Sequence, residues 1–166
     1  MDNKIIVHGT IHGSDEIQQE IKAIDVAEYI GSGIDNVDVY YFQPEPGEMY
    51  NAGFNWQLVL STAADVIAVG GVLWAAYEKF FATRKKKSET TDSTDALYIL
   101  VGYPEGQHFE FHLGKDAVDR EKFIELFTKA VSEAQKSPQH KQMVKTIIKE
   151  LDKSKVWKPV KRNKRN

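Results

Sequence analysis

A run of 20 mostly apolar residues, 58–77, constrains the fold of this chain more than any other feature. It reads LVLSTAADVIAVGGVLWAAY, and no other stretch is apolar over a comparable length. About 20 apolar residues can cross a bilayer as a helix, and a helix apolar all round is also typical of a protein core. The run therefore predicts one long helix that continues to Phe81, either buried in a core or spanning a membrane.

One acidic residue within the run, Asp65, makes a membrane-spanning helix less favourable. A carboxylate at the centre of a span costs about 2.5 to 3.5 kcal/mol, and the strongest apolar residues of the run together gain about 2.4 to 4.8 kcal/mol. Because these terms nearly cancel, we favour a buried core helix in which the small residues, Ala68 among them, pack closely. A small membrane-anchored protein of the inner membrane, with its span at 58–77, is the alternative.

Length and cysteine content restrict the remaining possibilities. A chain of 166 residues can form one domain with a sizeable core. The absence of cysteine excludes disulfide bonds and thiolate metal sites. The N-terminus lacks a basic stretch followed by an apolar one, so no signal peptide is evident and we expect a cytoplasmic protein.

Charge is distributed unevenly along the chain. Residues 1–56 hold ten acids and two bases, whereas the last 14 residues hold seven bases and no acid. We expect a domain over 1–152 and a disordered basic tail over 153–166. The tail is a solvated, solubilising segment or, alternatively, binds nucleic acid or an anionic membrane. A second basic run follows the apolar stretch. The predicted interaction residues are Arg84, Lys85, Lys86, Lys87, Trp157, Lys158, Lys161, Arg162, Lys164 and Arg165.

Alternating apolar and polar residues predict the strands. The pattern appears at 4–12, and the β-rich letters VDVYYF indicate a second strand at 37–42. Two alternating stretches within 96–113 flank Pro104-Glu105-Gly106, which predicts a β-hairpin with one apolar and one mixed face. The polar stretch 88–95 before it is expected to be a mobile linker.

Helical spacing predicts three further helices. One covers about 15–30, the next begins at Asp119 with Phe123 and Phe127 on its apolar face, and the last begins at Ser137. The resulting order, β-α-β-α-β-β-α-α, predicts an α+β fold. We expect a small mixed sheet packed on the long apolar helix.

The order of five elements resembles the effector-associated constant component family of bacterial conflict systems. Members combine a Pro-Gly-Glu-Met element, an apolar helix, a basic cluster, a hairpin with a Pro-Asp-Gly-like turn, and a short helix with an acidic start. The corresponding parts here are Pro46-Gly47-Glu48-Met49, residues 58–81, residues 84–87, Pro104-Glu105-Gly106 and residues 116–134. Together they cover about half of the chain.

The resemblance implies a non-catalytic module that couples to an effector or sensor partner in an immune-like system. It implies no catalytic residue and no cofactor. The linker 88–95 is long for the family, and the helix after Pro138 and the basic tail are additions to it. No motif in the chain identifies a small-molecule substrate.

Histidines in two strands suggest a different class of protein. His8 and His12 share one face of the first strand, and His108, Glu110 and His112 share one face of the hairpin. If these strands are neighbours, the side chains could converge on a metal such as zinc, as in a metal-dependent hydrolase. The same spacing is also typical of a solvated polar strand face.

Overall fold

The computed structural model describes residues 4–12, 22–43, 56–61, 64–82, 96–102, 108–114 and 119–160. Six strands lie within these ranges: β1 (Ile5–His12), β2 (Val37–Phe42), β3 (Trp56–Leu60), β4 (Ala96–Gly102), β5 (His108–Leu113) and β6 (Trp157–Pro159). The same ranges contain four α-helices: α1 (Ala23–Gly33), α2 (Val66–Tyr77), α3 (Arg120–Gln135) and α4 (Pro138–Lys153). A π-helical turn over Glu78–Ala82 continues α2.

The strands form one six-stranded sheet in the order β5-β4-β1-β3-β2-β6. The predicted α+β class is confirmed. The predicted mixed sheet is wrong, since every pairing between the described strands is antiparallel. The reason is β3, which inserts between β1 and β2 and runs opposite to both of them.

The predicted helix over 58–81 is wrong in its first part. Trp56–Leu60 is a strand, and helix α2 begins only at Val66, where the Asp65 side chain accepts a hydrogen bond from the backbone N–H of Ala68 at 3.2 Å. All five residues of β3 are buried, because this strand lies inside the sheet and is covered on both faces. Such a strand is continuously apolar and cannot be told from a helix by periodicity.

The predicted membrane span at 58–77 is not one helix, because it divides into a strand and a helix. Among the described residues, no helix is long and apolar enough to span a bilayer. Residues 58–60 belong to the sheet, and Ala68, expected inside the core, is exposed on α2. The small residues of this helix that are buried are Gly70 and Ala76, and a Cβ added to Gly70 would lie 3.3 Å from Phe127.

Helices cover both faces of the sheet. On one face, α1, α2 and α3 enclose the main core with Ile5, Val7 and Ile11 of β1, as the alternation in β1 predicted. On the other face, Val144 and Leu151 of α4 pack against Ile6 and Val59. A Cβ on Gly9 would overlap the buried indole of Trp56, so glycine is required where β1 crosses that ring.

The capping residues in the sequence predicted the starts of α3 and α4 correctly. Asp119 accepts a hydrogen bond from the N–H of Lys122 at 2.8 Å, and Ser137 accepts one from the N–H of His140 at 3.2 Å. Both are helix caps, as predicted. The predicted hairpin is also confirmed as β4 and β5, although its turn, Pro104-Glu105-Gly106, lies outside the described residues.

The predicted helix over 15–30 is wrong at both ends of its described part, because Lys22 is extended, α1 begins at Ala23 and the helix continues to Gly33. Its predicted beginning, 15–21, lies outside the described residues, as do the linker 88–95 and the basic run 84–87. The described part of α1 packs on β2 through Gly31, which leaves room for Val39 and Val160.

The prediction of a disordered tail from Lys153 onward is wrong for residues 153–160. Lys153 ends α4, and β6 then pairs with β2 in the register Tyr41↔Lys158 and Phe42↔Trp157. The strand forms because Trp157 and Val160 contact the two apolar clusters, which offsets the cost of ordering a basic segment. The domain therefore continues to Val160, and residues 161–166 lie outside the described residues.

Candidate functional site

The sheet face beneath α4 carries a row of polar side chains across neighbouring strands. Tyr40 of β2 lies opposite Gln57 of β3, which in turn lies opposite His8 of β1. The row continues through Leu100 of β4 to Glu110 of β5. These residues share one face because directly opposite residues in antiparallel strands point the same way.

The part of this row beneath α4 is buried. His8, Gln57 and His140 of α4 are only 3%, 6% and 1% exposed. Burial, followed by repulsion from His140, lowers the pKa of His8 from 6.5 to about 4, and burial also lowers the pKa of His140. Neither ring nitrogen of His140 has a hydrogen-bond partner among the described residues. Both imidazoles are therefore neutral at pH 7.

The part of the same face on the hairpin is accessible to solvent. The rings of Tyr98 and His112 meet edge to face at 4.4 Å, and His112 Nε2 lies 3.8 Å from Glu110 Oε2. Burial and then the hydrogen bond to Glu110 raise the pKa of Tyr98 to about 12. Tyr98, Glu110 and His112 thus form a polar cluster, which we call the hairpin cluster.

The five predicted metal ligands do not come together. His12 lies opposite Ala96 and His108 opposite Gly102, which are the first and last residues of β4. At about 3.3 Å per residue, the two histidines are about 20 Å apart along the strands. His8 is buried beneath α4, whereas Glu110 and His112 are exposed. Within the described part of the chain, no three His, Asp or Glu side chains are arranged to hold a metal ion.

The predicted interaction residues are only partly described. Trp157 is half-buried, and its ring packs on Phe42 at 5.5 Å, so it contributes to the domain rather than standing free in a tail. Lys158 is exposed on β6. The other eight fall outside the described residues: Arg84, Lys85, Lys86, Lys87, Lys161, Arg162, Lys164 and Arg165.

Strand β5 forms one edge of the sheet among the described strands. It carries Phe109, which is 40% exposed, and the side chains of Glu110 and His112, which are 43% and 61% exposed. One other large hydrophobic side chain in the described residues is exposed: Ile67 at the start of α2, at 62%. Strand β5 is therefore the edge strand of the described sheet and has accessible side chains on both of its faces.

Sequence reasoning missed three members of the polar sheet face, Tyr40, Gln57 and Tyr98, and it missed His140 of α4, which covers that face. A signal existed for His140, because it precedes Met143 and Val144 by three and four residues and so lies on the apolar face of α4. No comparable signal identified Gln57, because the strand that holds it was not predicted.

Comparison of the chain with family models, with curated proteins and with solved structures finds no match.

Proposed function

We propose that this chain is a non-catalytic interaction module of the cytoplasm that couples to an effector or sensor protein in a bacterial defence system. This role follows from the resemblance to the effector-associated constant component family. Members of that family are regarded as non-enzymatic partners of effectors. The observation that carries it is that β5 ends the sheet among the described strands and has accessible side chains. An edge strand presents unpaired backbone N–H and C=O groups to any extended segment that can add beside it.

The two edges of the sheet differ in a way that favours β5. Natural proteins protect sheet edges with short strands, lysine or proline. Strand β6 has all three features, since it has three residues and consists of Trp157, Lys158 and Pro159. Strand β5 has six residues and contains neither lysine nor proline. It is therefore the edge to which another strand can be added.

The side chains of β5 provide specificity beyond the backbone. Phe109 offers an apolar contact on the face that holds the main core, and Glu110 and His112 offer charge and hydrogen bonds on the opposite face. A partner strand with apolar residues alternating with polar ones would match both faces.

The test is binding of the purified full chain to effector and sensor proteins encoded by neighbouring genes, measured by calorimetry. We expect Phe109→Lys to weaken binding at least tenfold, because it removes the apolar contact and places a charge at the edge. The matched control is Ile67→Lys, which changes another exposed apolar residue, outside β5, and should bind as the wild type does.

Two results would contradict the proposal. Equal loss of affinity in both lysine variants would mean that β5 is not the docking edge. Stoichiometric zinc in the purified protein, lost in His108→Ala and His112→Ala, would favour the metal-dependent hydrolase instead.

A further inference from the structure

We propose that the exposed face of α4 is a binding surface for the phosphate backbone of double-stranded DNA. The surface consists of a lysine at every fourth position of the helix, which we call the lysine stripe: Lys141, Lys145, Lys149 and Lys153. It lies on a different element from β5 and takes a partner of different chemistry from the protein proposed there.

The lysine stripe follows one ridge of α4, because residues four apart lie one above the other on a helix. At about 1.5 Å per residue, the ridge is about 18 Å long and carries a cation about every 6 Å. All four lysines are exposed. The opposite face of α4 is occupied, since Val144 and Leu151 pack against Ile6 and Val59 of the sheet. The stripe is therefore on the accessible side of the helix.

The charges of the lysine stripe are not neutralised within the domain. Among the described residues, no carboxylate lies within ion-pair distance of the stripe. On α3, by contrast, Lys122 lies 3.8 Å from Glu125, and Lys136 lies 3.9 Å from Glu133. The ammonium groups of α4 are therefore available to an anionic partner.

The segment that carries the stripe is basic within an acidic chain. Residues 136–160 hold seven lysines and two acids, Glu150 and Asp152, whereas residues 1–135 hold 11 bases and 22 acids. A local excess of lysine on one exposed helix, in a chain of net charge −2, is the electrostatic footprint of a surface that binds a polyanion.

The side chains of α4 favour a duplex over other polyanions. Single-stranded nucleic acid is bound by stacking bases on aromatic rings, and α4 contains no Phe, Tyr or Trp. The ring of Trp157, which follows α4, packs on Phe42. Helices that bind a membrane surface insert an apolar face, and the apolar face of α4 is buried against the sheet. A duplex requires only cations, because it carries one phosphate charge per about 1.7 Å of its axis.

The shape of α4 favours DNA over duplex RNA. The major groove of B-form DNA is about 12 Å wide and admits the exposed side of a helix beside the backbone, whereas the major groove of RNA is too narrow. Contacts between lysine and phosphate carry no sequence information. Binding should therefore be independent of the DNA sequence.

Fluorescence anisotropy of a labelled DNA duplex, titrated with the full chain at several salt concentrations, tests the surface. The triple variant Lys141→Gln, Lys145→Gln, Lys149→Gln retains good helix formers and removes three charges. We expect it to bind at least tenfold more weakly than the wild type at about 50 mM salt. The slope of log affinity against log salt should decrease by about 2.7, since each lost phosphate contact removes about 0.9.

The matched control removes the same charge from exposed positions outside α4. The triple variant Lys22→Gln, Lys122→Gln, Lys129→Gln should retain the affinity and salt slope of the wild type. An equal loss in both triple variants overturns the inference, because net charge rather than the stripe would then determine binding. Thermal melts of both variants verify that each chain remains folded.

Two further comparisons test the location of the site and the partner. Glutamine at the four bases of residues 161–166 should weaken binding less than the stripe variant does, and the reverse order would place the site at the C-terminus instead. Duplex RNA, single-stranded DNA and phosphatidylserine vesicles should each bind more weakly than duplex DNA. Tighter binding to any of them, or no binding of the wild type to duplex DNA at about 50 mM salt, overturns the inference.

Discussion

Two buried histidines, His8 and His140, couple the stability of this protein to pH. Burial holds the pKa of His8 near 4 in the folded chain, whereas the same group titrates near 6.5 when exposed. Between these values the unfolded chain binds more protons, so the free energy of unfolding falls as pH drops below 6.5 and is unaffected above it. The full shift corresponds to about 3 kcal/mol.

We expect urea unfolding to give a lower free energy of unfolding at pH about 4.5 than at pH about 7.5, by about 2 to 3 kcal/mol from His8. The variant His8→Leu should reduce that difference, because it removes the titrating group from beneath α4. The control His112→Gln changes an exposed histidine and should retain the difference. A wild type equally stable at both pH values would show that the buried imidazoles do not control acid unfolding.

At the scale of single elements, Asp65 separates two structures within the apolar run. Its carboxylate caps α2 through the N–H of Ala68, and the strand β3 ends five residues earlier. Without this cap, the first turn of α2 would leave an additional backbone donor without a partner. The residue that made a membrane span marginal is thus the one that starts a helix in the folded domain.

The variant Asp65→Ala should lower the free energy of unfolding by about 1 kcal/mol, which is the usual cost of losing a cap. Asp65→Asn retains a capping oxygen and should cost less than half as much. Urea titrations of the three proteins would measure this ordering. If alanine and asparagine behave alike, the hydrogen bond to Ala68 contributes nothing measurable.

At the scale of the whole molecule, the last strand closes the fold. Strand β6 pairs with β2, Trp157 packs on Phe42, and Val160 contacts Gly31 of α1. These contacts make a basic C-terminal segment part of the domain. They also place Lys158 on a fixed strand rather than on a free tail.

Two truncations test this closure. A chain that ends after Val160 should melt close to the full-length protein, because it keeps β6 and both apolar contacts. A chain that ends after Lys153 should melt about 5 to 10 °C lower, because it exposes one edge of β2 and part of each core cluster. Equal melting temperatures would mean that β6 adds no stability.

The sequence by itself determined the elements whose signals are local. Alternation identified β1 and the hairpin, and β-rich residues identified β2. Asp119 and Ser137 marked the helix starts that the structure confirms. It also identified Glu110 and His112 as residues that share one strand face. Each of these features depends on residues a few positions apart, which is the range over which periodicity and capping act.

Only the tertiary structure decided how the apolar run divides and which strands are neighbours. A strand covered on both faces and a buried helix are both continuously apolar, so Trp56–Leu60 and α2 merge in the sequence. Likewise, β6 is ordered by contacts with residues more than 100 positions away. The separation of the histidines into a buried pair and an exposed hairpin cluster follows from where α4 covers the sheet. No local sequence pattern predicts the position of α4 on the sheet, because that position depends on long-range packing.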